Sequence, residues 1–268
     1  MIADDKAQTL EDELRAANEI VYTHSLELAR LKEALEIANS QQENLLHFIS
    51  HEIKGYLTEG QNAFAGIVEG DYGAVSMPIK SLAETALARM RDGVSTVMNI
   101  LDASNLKKGT VSYKKEKYDF RDVVEKSMDV MVLRAQAKNL AIDWTVDGNS
   151  SYAAVGDKEK IQEHVVRNLI DNAIRYTPKG SIHVSLTRAS KNIRFSVKDT
   201  GVGITEEDKA RLFTEGGHGK DSIKVNVDST GYGLFIAKQV TEAHGGTIRA
   251  ESEGAGKGSE FIVELPLG

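Results

Sequence analysis

Stepping from Leu10 by alternating four and three residues lands on Leu14, Ala17, Val21, His24, Leu28, Leu31, Leu35, Ala38, Gln42, Leu45, Ile49 and Glu52. Ten of these thirteen positions are apolar and no proline interrupts them. A 3.5-residue period of this length predicts one long helix carrying a left-handed coiled-coil seam. Polar residues within such a seam ordinarily set register, which is the role expected of His24 and Gln42. The helix is expected to run to about Glu69, where Gly70-Asp71-Tyr72-Gly73 and Pro78 signal a loop. Ile79, Leu82, Ala83, Ala86, Met90, Val94, Val97 and Leu101 then recur at three- and four-residue spacing, predicting a second helix that stops near Lys107-Lys108-Gly109. Two antiparallel helices cannot bury both stripes alone, so pairing of two copies as a four-helix bundle, and hence a homodimer, is predicted.

After Gly109 the pattern changes to short alternating runs. Strands are predicted at 111–117, 140–146, 181–188, 192–198, 247–252 and 258–265, and helices at 119–138, 157–176 and 231–244. The predicted fold class is multidomain α and α/β: an N-terminal coiled coil running into a dimeric four-helix bundle, then an α/β sandwich. The expected divisions are a signalling helix at 1–44, a dimerisation hairpin at 45–109 and a separate α/β domain at 110–268.

Composition narrows the function classes. There is no cysteine, which removes disulfides, thiolate metal sites and cysteine nucleophiles, and is compatible with a cytoplasmic setting. The formal net charge is −7, and residues 1–50 hold ten acids against four bases, leaving the remainder close to neutral. No basic field suited to a phosphate backbone is present, so no nucleic-acid partner is expected. No membrane-length apolar run or signal peptide is visible, and any sensor or membrane region is expected to lie upstream, outside this chain.

Four local patterns carry candidate chemistry, each with an ordinary structural reading when taken singly. Ser50-His51-Glu52-Ile53-Lys54 places an imidazole on the helix beside the seam, with a neighbouring carboxylate to hold its other proton. Asn168-Leu169-Ile170-Asp171-Asn172-Ala173-Ile174-Arg175-Tyr176-Thr177 puts two carboxamides on one helix face and a cation one turn on, suited to magnesium and phosphate. Asp199-Thr200-Gly201-Val202-Gly203 follows a strand, where a carboxylate can accept from an adenine amine while the glycines allow close backbone approach. Gly231-Tyr232-Gly233-Leu234 opens a helix, whose free amides favour phosphate.

In this order the patterns resemble the sensor histidine kinases of two-component systems, whose ATPase domain belongs to the superfamily that includes gyrase, Hsp90 and MutL. The resemblance spans roughly 45–266: residues 50–54 are similar to the phosphoacceptor box, 168–177 to the asparagine box, 199–203 to the first glycine box, Leu212-Phe213 to the phenylalanine box and 231–234 to the second glycine box. It implies ATP and Mg2+ as cofactors, His51 as nucleophile and Glu52 as its base or orienter. It further implies Asn168 on magnesium, Asn172 and Arg175 on the phosphates, Tyr176 against the base and Asp199 reading adenine. Gly201, Gly203, Phe213, Gly231, Gly233 and Leu234 complete the implied ATP-binding set, and residues 214–230 form a lid in which Lys220 meets phosphate. The implied partner is the receiver domain of a response regulator, which takes the phosphoryl group on an aspartate. Three positions depart from the family pattern: Gly55 stands where a polar residue is frequent, Tyr56 replaces a proline, and His164 replaces a glutamate or glutamine. The alternatives are an ATPase of the same superfamily that does not use His51, and a scaffold that binds nucleotide without transfer.

Overall fold

The computed structural model describes residues 2–107, 111–148, 150–217 and 231–268, with side chains outside the description at 2–13, 42, 43, 45–47 and 50. Two compact units result, Met1–Arg91 and Asp92–Gly268.

The first unit is helical. α1 (Ile2–Glu69) is a single helix, as its uninterrupted period requires, and α2 (Met77–Lys107) follows. Gly70, at φ 91°, ends α1 in a left-handed cap, its N–H and that of Asp71 both donating to the Gly66 carbonyl at 3.0 and 2.9 Å. Ala83 and Leu87 of α2 are buried. A Cβ on Gly60 of α1 would lie 3.2 Å from Met90 Sδ, so the helices pack as an antiparallel hairpin. The seam of α1 is bare: Leu14, Val21, Leu28, Leu31 and Leu35 are 61–66% exposed.

The second unit takes the last turns of α2 and the α/β segment. Its elements are β1 (Glu116–Asp119), α3 (Phe120–Ala137), β2 (Ala141–Val146), β3 (Ala153–Gly156), α4 (Lys158–Lys160), a π-helical stretch (Ile161–Arg167), α5 (Asn168–Tyr176), β4 (Ser181–Ala189), β5 (Asn192–Asp199), α6 (Glu206–Lys209), α7 (Gly233–Ala243), β6 (Thr247–Glu251) and β7 (Ser259–Pro266). A five-stranded sheet runs in the order β2-β4-β5-β7-β6, parallel only between β2 and β4. Ile182, Val184 and Leu186 of β4, Phe195 and Val197 of β5 and Val263 of β7 alternate inward. They meet Phe120, Val124 and Met128 of α3, Leu169 and Ile170 of α5, and Ile236 and Val240 of α7 in one core. This is a two-layer sandwich with the helices on one face.

The fold differs from the sequence reading at three points. The strand expected at 111–117 forms at 116–119 and pairs antiparallel with β3, which the periodicity did not reveal. The helix expected over 157–176 contains the π-helical stretch 161–167, which ends directly before Asn168. The helix expected from 231 begins at Gly233. Among the described residues no helix is long and apolar enough to cross a membrane.

A candidate nucleotide site

Three segments distant in sequence build a cavity of about 430 Å3 in the second unit. The volume suits a small organic ligand. α5 supplies one wall. Its apolar side chains Leu169, Ile170, Ala173 and Ile174 are buried in the core, which turns Asn168, Asp171, Asn172 and Arg175 to the cavity. Asn172 Nδ2 donates to Asn168 Oδ1 at 3.5 Å, and Asn168 Nδ2 is buried without a partner. A buried amide left unpaired costs free energy until an acceptor arrives, so this atom marks a place for a ligand.

The end of β5 supplies the second wall. Asp199 is buried, and its carboxylate accepts from the Gly201 N–H at 2.8 Å and the Ser259 hydroxyl at 2.5 Å. Burial pushes the Asp199 carboxyl above the ordinary aspartate range, and these hydrogen bonds only partly oppose it. The glycines after it are sterically required. A Cβ on Gly201 would lie 2.2 Å from the Tyr176 carbonyl oxygen, and one on Gly203 (φ 70°) 2.0 Å from that of Gly254. The Val202 N–H donates to the Tyr176 carbonyl at 3.1 Å, fastening the turn to the end of α5.

The start of α7 closes the third side with Gly231, Gly233 and Leu234. A Cβ on Gly233 would stand 2.7 Å from Asn168 Oδ1, so the helix opening lies directly against the asparagine. Tyr176 and Gly203 also line the cavity. Phe213 and Gly201 do not line it: Phe213 packs edge-on against Phe261 at 6.5 Å, and Leu212 and Phe261 line the cavity instead. Lys220, with residues 218–230 of the expected lid, lies outside the described residues. His51 is in the first unit on α1, its side chain 79% exposed and its Nδ1 3.9 Å from Glu52 Oε1. That separation is within ion-pair reach and beyond hydrogen-bond length.

Several cavity residues had no signal in the sequence. Ser259 comes from β7, Arg134 from α3, and Ser95 and Asn99 from the second half of α2. Asp171 is named within the asparagine box but given no role by the sequence; its carboxylate accepts from Arg175 Nε at 2.6 Å. His164 also lines the cavity, with Nε2 3.4 Å from Asp102 Oδ2. Burial lowers its pKa, outweighing the nearby carboxylate, so the ring is neutral at pH 7.

The donor set bears on magnesium. No group of three or more His, Cys, Asp or Glu that could hold a metal occurs among the described residues. The Asn168 carboxamide oxygen is a hard donor of the type magnesium accepts alongside water and phosphate oxygens, so the residues fit an ion that arrives with a nucleotide. Neutral His164 is not such a donor.

Residues 156–268 match the family of histidine kinase-, DNA gyrase B- and HSP90-like ATPases. The sensor histidine kinase GacS of Pseudomonas protegens is 30% identical over 251 residues, covering 90% of this chain and 26% of that protein. This chain thus spans about a quarter of the length of such curated relatives. Among solved structures, the Acinetobacter baumannii histidine kinase AdeS is similar with a TM-score of 0.56 at 25% identity, over 81% of this chain and 98% of that one. Full-length ShkA in complex with AMPPNP shares the fold, with a TM-score of 0.65 at 22% identity over 83% of this chain and 45% of that one. Residues 156–268 are therefore an ATPase domain of the histidine kinase, gyrase and HSP90-like family, in a chain related over most of its length to sensor histidine kinases.

Proposed function

We propose that the chain is the catalytic portion of a sensor histidine kinase, which phosphorylates its own His51 from ATP and passes the phosphoryl group to an aspartate of a response-regulator receiver domain. The observation that carries this reading is the convergence of Asp199, Asn168, Asn172, Arg175 and Gly233 on one cavity, in a chain that also exposes His51 on a helix. Asp199 accepts from the adenine amine, Tyr176 lies along the base, and Asn172 and Arg175 meet the phosphates. Asn168 would hold Mg2+, which would neutralise phosphate charge when bound. An imidazole nitrogen of His51 attacks the γ-phosphorus, the bond to the β–γ bridging oxygen breaks and ADP leaves, while Glu52, as base or orienter, faces the other ring nitrogen and accepts its proton. The protein's share is positioning and charge neutralisation.

The proposed divisions are a signalling helix at 1–44, a dimerisation and phosphoacceptor hairpin at 45–109 and the ATP-binding domain at 110–268. A second copy of this chain covers the bare leucine seam of α1, making a homodimer.

The experiment is incubation with γ-labelled ATP. The wild type acquires a label that acid removes and alkali does not, as a phosphoramidate behaves, and His51→Gln takes up none while still binding ATP. Equal labelling of the variant overturns His51 as acceptor. ATP turnover with no protein label would favour an ATPase that does not use His51, and binding with neither would favour a scaffold.

A further inference from the structure

The phosphate end of the cavity carries an arrangement that the roles above do not use. Asp171 is mostly buried, its side chain 16% exposed, between two arginines. Its Oδ2 accepts from Arg175 Nε at 2.6 Å, while its Oδ1 lies 2.8 Å from Nη1 of Arg134 on the neighbouring α3. All three side chains line the cavity beside Asn168 and Asn172. One carboxylate between two guanidiniums leaves one positive charge over. The nearby Glu163 and Arg167, paired at 2.5 Å, balance each other. The excess charge at this end of the cavity therefore resides on the Arg134–Asp171–Arg175 group.

The division of the carboxylate matters more than the sum. A carboxylate facing a single arginine favours the two-point arrangement, in which both oxygens engage one guanidinium. Four residues apart on α5, Asp171 and Arg175 are placed to form it. Arg175 would then spend its charge within its own helix. The Arg134 guanidinium lies 2.8 Å from the second oxygen as an ion pair, though not in hydrogen-bonding geometry, and its charge opposes that closure. We infer that Arg134 is a positioning residue of the nucleotide site: by claiming one oxygen of Asp171 it leaves the Arg175 guanidinium half released, available to the phosphates. The inference rests on the reading of this cavity as an ATP site.

The test is a double-mutant cycle on the full chain, with calorimetric affinities for Mg-ATP, ADP and adenosine. Arg134→Met weakens Mg-ATP and ADP by about five- to tenfold, as expected for an altered contact with a charged group, and leaves adenosine affinity and the melting temperature unchanged. In an Asp171→Asn background the same substitution costs nothing further, because the carboxylate whose sharing it governs is gone. Arg134→Leu, which also lacks a donor, gives the same pattern and substitutes if the methionine variant does not fold. Unchanged ATP affinity in Arg134→Met overturns the inference. So does an equal loss in the Asp171→Asn background, which would mean that Arg134 acts on the nucleotide directly. A parallel loss of adenosine binding would reduce Arg134 to a structural role and also overturns it. Failure of the underlying reading looks different: the wild type would then bind ATP no more tightly than adenosine.

Discussion

At the scale of single residues, Asp199 carries the most specific expectation. It is a buried carboxylate with two hydrogen bonds, and the proposed role has it accept a third from an adenine amine. Asp199→Asn turns one acceptor oxygen into a donor facing that amine. Loss of a hydrogen bond to a charged group corresponds to about 1.5–3 kcal/mol, or roughly ten- to a hundredfold weaker ATP binding, with a much smaller effect on GTP. Calorimetry with both nucleotides checks this, and unchanged ATP affinity would remove Asp199 from the adenine site. The raised pKa adds a pH dependence. A carboxyl whose folded pKa is raised favours folding below its unfolded pKa, and this contribution is lost as pH rises through the folded value, so at neutral pH the buried charge is a cost to the fold. The proposed contact, in which the carboxylate accepts from the amine, needs the ionised form. Adenosine affinity is therefore expected to decline as pH falls from neutrality, beginning above the ordinary aspartate value of 3.8, and to stay flat over that window in Asp199→Asn. The aspartate and its glycines were legible in the sequence because backbone approach demands those residue types at adjacent positions. Ser259, which donates the short hydrogen bond, was not, since nothing local distinguishes a serine that starts a strand.

At the scale of elements, the turn after β5 and α5 act as one piece. Gly201 sits where a Cβ would overlap the Tyr176 carbonyl oxygen, and the Val202 N–H bonds to that same oxygen. Gly201→Ala must push the turn off α5, and overpacking of this kind costs about 1–3 kcal/mol. The expected outcome is a lower melting temperature together with weakened nucleotide binding, because Asp199 loses the Gly201 amide. A variant that melts and binds as the wild type does would show that the turn relaxes freely. The strongly amphipathic α5 was readable from spacing alone. The π-helical stretch before it was not, because wider turns in a helix answer to tertiary packing and leave no distinct residue period. β1 and β3 are four residues each and find one another across more than thirty residues, so their pairing had no local periodicity to announce it.

At the scale of the whole molecule, the long α1 links residues 1–44 to the segment that carries His51. Its seam is interrupted by His24, Gln42 and Glu52, so its rotation is less strictly specified than that of an all-leucine seam. One residue inserted near Ser40 turns the downstream helix by about 100°, whereas seven restore the phase. If rotation of this helix governs His51, kinase activity changes strongly with the single insertion and little with the seven-residue one. Autophosphorylation rates of the two variants decide it, and equal rates would make α1 only a dimerisation handle. The sequence by itself determined what repeats along the chain or depends on neighbours: the period of α1 and α2, the alternating strands, and the short boxes whose glycines, asparagines and aspartate reveal their chemistry at fixed spacing. Only the tertiary structure decided what joins across distance. It sets Arg134 of α3 against Asp171 of α5, Ser259 of β7 on Asp199, and Ser95 and Asn99 of α2 beside the cavity. Side chains far apart in sequence meet only once burial of the shared core has fixed which helix lies on which strand, and a linear pattern carries no record of that choice.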